Sequence, residues 1–284
     1  MSSFEPPPVP YLNPEFLKSQ EARVVRILAE YLEPWSRLRK YKVRDTIVFF
    51  GSARSLPPEV ANQELAAMAE KTGETPPAHA EGQRAYERCK QAVKLSRYYA
   101  DAMELARRVT EWSKSLTGAH HFIICSGGSG GMMEAANRGA SAARGKTIGF
   151  NIELPLEQEV NRYVSRELIF NFHYFFMRKF WFVYLAKALV VFPGGFGTMD
   201  ELFEVLTLIQ TKKPRKSMPV ILFGQEFWDD VIDFEALVRW GVVGAEDLKI
   251  FYKTDSVDDA FDYLRSRLES TYLTPEGLDQ MKLT

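Results

Sequence analysis

The sequence of 284 residues is poor in the residues that usually mark metal or disulfide chemistry. It has two cysteines, Cys89 and Cys125, neither with a CxxC partner, which excludes a disulfide framework and a four-cysteine zinc site. It has four histidines, His79, His120, His121 and His173, with no HExxH and no Asp-rich cluster, so no metal site is expected and His120-His121 read as surface. No apolar run reaches the roughly 18 residues a membrane helix needs. The first residues, MSSFEPPPVP, lack the basic and apolar regions of a secretory signal, so the cytoplasm is the expected compartment. An excess of positive charge is also missing: 36 Lys+Arg stand against 37 Asp+Glu, a net charge of -1. Wholesale nucleic-acid binding is therefore not expected, nor is a membrane partner.

What is present is an ordinary globular composition, 46% apolar and 26% charged. Short apolar runs alternate with helical patterns. The expected strands are Thr46–Phe50, Phe122–Cys125, Lys146–Ile152, Glu167–Phe172, Ala188–Phe192, Pro219–Phe223 and a weak one at Leu248–Phe251. The expected helices cover 14–40, 58–71, 83–116, 132–144, 174–187, 198–211, 226–240 and 256–268. Strands alternating with helices predict an α/β fold: one Rossmann-like, doubly wound parallel sheet with helices on both faces. The expected division is an N-terminal helical extension at 1–45, a nucleotide-binding domain at 46–270 with an insertion at 55–96, and a tail at 271–284.

Two glycine-rich turns follow two of the strands: Ser126–Gly131 (SGGSGG) and Pro193–Thr198 (PGGFGT). A parallel sheet binds ligands beyond the carboxyl ends of its strands, and exposed amides at a helix start attract phosphate. Neither turn is a P-loop, and GxGxxG fails because Met133 stands where the third glycine belongs. After the second turn come Asp200 and Glu201. Thr198 and Glu201 form a T-x-x-E capping box, in which Glu201 would fold back onto its own helix. Alternatively, phosphate lies on the Gly194–Thr198 amides and Glu201 faces the sugar beside it. The motif alone does not separate these. Upstream, Arg178-Lys179 sit in an aromatic stretch, read either as bases snorkelling from a core helix or as cations facing an anion in the cleft.

Arg178-Lys179 followed by PGGFGTMDE at 193–201 resembles the LOG ("lonely guy") family, whose signature is an RK pair followed by PGGxGTxxE. The resemblance extends to Gly51–Arg54 and to Ser126–Ala140. It implies hydrolysis of the N-glycosidic bond of nucleoside 5′-monophosphates, of the AMP or cytokinin-ribotide type, to free base and ribose 5-phosphate. It implies Arg178 and Glu201 as the catalytic pair. It implies substrate contacts from Lys179, Gly194, Gly195, Gly197, Thr198, Asp200 and Thr207, with Ser52 and Gly128 from the other two turns. A further substrate-contacting acid is expected in the loop before the RK helix, with Glu157 and Glu159 as candidates. No cofactor is implied, and at least a homodimer is. The family's older label, lysine decarboxylase, would need pyridoxal phosphate on a lysine that nothing in the sequence marks. The alternative function is a non-catalytic nucleotide or cofactor carrier of the same fold.

Overall fold

The computed structural model describes residues 7–72, 80–117, 121–154, 159–212 and 218–274. The break expected at 73–77, His79, His120, Glu157 and the tail beyond 274 lie outside these residues. Seven parallel strands form one sheet: β1 Asp45–Phe50, β2 Phe122–Ser126, β3 Thr147–Ile152, β4 Ile169–Phe172, β5 Ala186–Val191, β6 Val220–Phe223 and β7 Phe251–Thr254. Their order is β4-β3-β2-β1-β5-β6-β7, the α/β architecture that the alternating pattern predicts. The chain winds outward from β1 in one direction, then returns to place β5 against β1 and winds the other way. The crevice between β1 and β5 is therefore the topological switch point, where open parallel sheets hold their ligands.

The central strands are mostly apolar because helices cover both faces. Val48, Phe50, Phe150, Leu189, Val191 and Leu222 face one layer; Ile47, Phe49, Ile124, Val190, Phe192 and Phe223 face the other. The first layer is built from α2 (Arg23–Lys40), α6 (Phe175–Tyr184) and α7 (Phe196–Gln210), with α8 (Gln225–Val231) and α9 (Phe234–Arg239). The second is α4 (Ala80–Ser115), α5 (Met132–Ala142) and α10 (Val257–Tyr272). Before α2 lies the short α1 (Pro14–Lys18), and α3 (Pro58–Thr72) precedes α4. No helix among the described residues is long and apolar enough to cross a membrane.

Several expected boundaries move. The helix expected over 14–40 breaks at Ser19, whose extended backbone separates α1 from α2. The helix expected over 226–240 is two, because Asp233 caps a new start by accepting from the Ala236 amide at 2.8 Å. The last strand begins at Phe251, three residues later than its apolar start suggests. Leu248 belongs to a 3-10 turn at Asp247–Ile250, preceded by a bond from the Gly244 amide to the Asp247 carboxylate at 3.0 Å. The N-terminal helix α2 lies on the sheet: Leu38 is in the core, with Ile27, Tyr31 and Trp35 packed against it. The second half of the expected 55–96 insertion is the beginning of α4, the crossover between β1 and β2.

Candidate active site

Both loops at the switch point are tied together. The Phe192 amide donates to the Phe50 carbonyl at 2.9 Å, and the Ser52 amide to the Pro193 carbonyl at 3.0 Å. Ser52 also accepts from the Met132 amide at 3.0 Å, so the loops after β1, β2 and β5 converge at one end of the sheet.

Arg178 is the fourth residue of α6, and its Nε donates to the Phe150 carbonyl in β3 at 2.8 Å. Its guanidinium lies over the Phe182 ring, one turn on, at 5.0 Å. From there Nη1 stands 3.7 Å from the Glu201 carboxylate on α7, an ion contact too long for a hydrogen bond. The side chains are 12% and 15% exposed. Burial disfavours both charges. It pushes the Glu201 carboxyl up to about 7, more than the neighbouring guanidinium pulls it down. Burial likewise pulls Arg178 below its ordinary value, opposed by Glu201. The Cys125 thiol, buried in β2, is pushed up by the same desolvation.

The helix carrying Glu201 starts at Phe196, with Gly195 as its N-cap and no side-chain cap. Thr198 is thus already in the first turn, and Glu201 lies in the second, past the position from which a capping box closes. The first-turn amides carry no acidic neighbour of their own. A Cβ built on Gly195 or Gly197 would meet nothing within 4 Å, whereas one on Gly194 would strike the Thr198 hydroxyl at 2.2 Å. Neither Gly195 nor Gly197 has the positive φ that would itself call for glycine. Their missing side chains instead leave open space over the uncapped amides, the arrangement that lets a phosphate approach the backbone.

Lys179 turns outward, 3.0 Å from both Asp200 and Glu204, at the i and i+4 positions of α7. Burial works against its charge, but the two carboxylates outweigh it and hold the ammonium above its ordinary value. Thr207 is exposed and donates to the Phe203 carbonyl at 2.7 Å. It lies about 120° around the helix from Glu201 and six residues further along it, and its hydroxyl turns back to its own helix. Glu159 is exposed at the end of its loop.

The first glycine turn is built differently. Gly128 and Gly131 have φ of +75° and +68°. A Cβ on Gly128 would meet the Gly149 Cα at 2.9 Å, and one on Gly131 the Ser52 carbonyl at 2.3 Å. Gly127 makes room for the site itself: a Cβ there would stand 2.6 Å from the Arg178 guanidinium. Beneath this turn, buried Asn137 accepts from Ser126 Oγ at 2.8 Å and Asn161 Nδ2 at 2.9 Å, and donates to Thr147 Oγ1 at 2.6 Å. Asn161 also bonds the turn directly, its amide to Gly128 and its side chain to Ser129. Gly127, Asn137, Asn161, Glu204 and the Phe150 carbonyl were not singled out from sequence. Gly127 and Asn137 lie within the Ser126–Ala140 stretch already noted, and Glu204 left a signal in its i+4 spacing from Asp200.

The fold and site together define a class: a doubly wound α/β protein with an uncapped glycine turn at its switch point and a buried arginine–glutamate pair beside it. A family model described as "possible lysine decarboxylase" matches residues 133–264, which include both catalytic candidates. The probable cytokinin riboside 5'-monophosphate phosphoribohydrolase LOGL5 of Oryza sativa subsp. japonica is 26% identical over 195 residues, 67% of this chain and 73% of the rice protein. Similar solved structures include a molybdenum cofactor binding protein from the phototrophic bacterium Rippkaea orientalis (20% identity, 59% of this chain, 87% of that one, TM-score 0.40). Another is the Moco carrier protein from Chlamydomonas reinhardtii (19% identity, 80% of this chain, 99% of that one, TM-score 0.44). The chain is thus similar, over the part that carries the site, to the LOG, or lysine-decarboxylase-like, family.

Proposed function

We propose that this chain hydrolyses the N-glycosidic bond of nucleoside 5′-monophosphates. The observation that carries the reading is Glu201. It is a carboxyl titrating near neutrality, beside a buried arginine and in the second turn beyond uncapped amides that two open glycines expose. In this reading the 5′-phosphate rests on the Gly195–Thr198 amides and anchors the sugar. Breaking the C1′–N bond leaves positive charge on the ribose, which ionised Glu201 stabilises. Water adds at C1′, giving up a proton, and the base leaves protonated. Arg178 holds the carboxylate in place and stays charged throughout. Lys179, Asp200 and Glu204 form the outer rim.

Lysine decarboxylation is a poorer fit. A Schiff-base lysine needs its ammonium destabilised, whereas Lys179 is stabilised by two carboxylates. The preferred base, adenine or the prenylated adenine of a cytokinin ribotide, is what the substrate panel below distinguishes. A reducing compartment such as the cytoplasm suits the two free cysteines.

The test is incubation with AMP and a panel of other nucleoside monophosphates. Free base and ribose 5-phosphate are expected. Glu201→Gln should lower kcat/KM by about 10³-fold while AMP affinity by calorimetry stays within about threefold. Saturable binding without products supports the carrier reading instead, and absence of binding overturns both.

The same proposal includes a second copy of this chain. Phe176, Phe180 and Tyr184 on α6, Leu28 and Leu32 on α2 and Phe203 on α7 are exposed apolar side chains of the helix layer next to the site. A face of this kind is covered in solution more often than left bare. Light scattering giving the mass of one chain would remove this part.

A further inference from the structure

We propose that Glu30, in the N-terminal helix α2, is a positioning residue for the catalytic pair: it clasps α6 at two points and so sets where Arg178 meets Glu201. The inference rests on the proposed role of that pair for its kinetic consequences, though not for its geometry.

The first point is the carboxylate. Two amides immediately ahead of α6, those of His173 and Tyr174, donate to Glu30 Oε1 at 2.8 Å and Oε2 at 3.2 Å. Backbone amides at a helix start need partners, and a negative charge there also opposes the positive end of the helix dipole. Tyr174, the N-cap of α6, has no side-chain cap of its own. The cap comes instead from a residue more than a hundred positions earlier. Its effect reaches Arg178 within one turn, because the Arg178 amide donates to the Tyr174 carbonyl at 3.1 Å.

The second point is the Glu30 carbonyl. In an uninterrupted helix this oxygen would accept from the amide four residues later. That residue is Pro34, inside α2, which has no amide hydrogen. The carbonyl is left free of its helical partner, and the buried Trp181 indole of α6 donates to it at 2.9 Å. The proline that weakens α2 on its own thus creates the acceptor by which α2 grips α6. Trp181 lies three residues beyond Arg178, so the two points bracket the arginine on a helix of ten residues. Tyr31 and Trp35 on α2 pack their rings against Trp181 and complete the contact.

The test reads the geometry without relying on turnover. In the full-length protein the Glu201 carboxyl is followed by NMR of labelled glutamate and assigned with Glu201→Gln. That carboxyl is faced by Arg178 and Lys179 from α6, Asp200 and Glu204 on its own helix, and Cys125 from β2. Arg178 and Lys179 both ride on α6 and shift with it in Glu30→Ala, whereas Asp200, Glu204 and Cys125 stay where they are. Weakening the pull of the two cations, Arg178 first, should raise the Glu201 midpoint by roughly half a unit or more, with Glu30→Gln in between. With AMP as substrate, kcat should fall on the order of tenfold and KM by less than about twofold. The control is Glu33→Ala on the same helix, whose carboxylate pairs with Arg37; it should leave the midpoint where it is. A midpoint unchanged in both Glu30 variants, with only the melting temperature lowered, would reduce Glu30 to a stabilising contact and overturn the proposal. If the wild type releases no base yet the midpoint moves, the hydrolase reading falls and the clasp stands.

Discussion

The two glycine turns look alike in sequence and are opposite in construction. In Ser126–Gly131 the fold itself requires Gly128 and Gly131: both have positive φ, and each meets backbone from a neighbouring loop or strand. In Pro193–Thr198, Gly195 and Gly197 have ordinary φ and empty space where a side chain would be. The first turn is a joint that locks three loops together. The second is open to solvent, and the proposed phosphate contact rests on that openness. A glycine that the fold itself explains says little about a ligand, and one that the fold does not explain says much more.

This contrast can be broken at either turn. The largest effect is expected in the first. Gly131→Ala puts a methyl into backbone at a positive φ, and should lower unfolding free energy by roughly 3 kcal/mol or more in urea titrations. A stability near wild type would mean that the turn is not the joint described.

The second expectation sharpens the electrostatic side. Glu201 has its folded pKa raised to about 7 from 4.5, so the folded state binds more protons than the unfolded one between these values. Stability from this group falls as pH rises through that window. Relative to wild type, Glu201→Gln should therefore gain about 3 kcal/mol between pH 4 and pH 8, whatever constant offset comes from leaving Arg178 unpaired. A pH-independent difference in denaturation midpoints would show that Glu201 titrates normally and is no buried acid.

The smallest effect has two signs. Gly197 lies in the first turn of α7, where alanine is the better helix former, so Gly197→Ala should stabilise the free protein by up to about 1 kcal/mol. The same methyl should weaken AMP binding about tenfold, or 1.4 kcal/mol. Gain of stability together with unchanged affinity would remove phosphate from this turn.

The architecture was legible because parallel strands covered on both faces leave continuous apolar runs, and Thr46–Phe50 or Pro219–Phe223 need no long-range information to be read. The pairing of Arg178 with Glu201 was legible only through the spacing of a family signature, since nothing local brings residues on different helices together. That Glu201 closes no capping box was not legible at all. It turned on α7 starting at Phe196 rather than Thr198, a shift of two residues that sequence patterns do not resolve. The split at Asp233 was lost to a side-chain cap and the start at Phe251 to the Gly244–Asp247 bond beside its 3-10 turn; both act over three residues and leave hydrophobic periodicity unchanged. Glu30 was invisible because its partners are backbone amides, which have no residue identity to read.

Asn161 has a practical meaning for anyone wishing to vary the residues around the first glycine turn. The segment from Glu153 to Asn161 is pinned at both ends, by the Glu153 amide on the Phe172 carbonyl at 2.8 Å and the Asn161 amide on the Gly128 carbonyl at 2.8 Å. Swapping Asn161 itself would strip Asn137 of a donor and unseat the arginine's neighbour, so a library that spares one asparagine should yield far more folded members than one that does not.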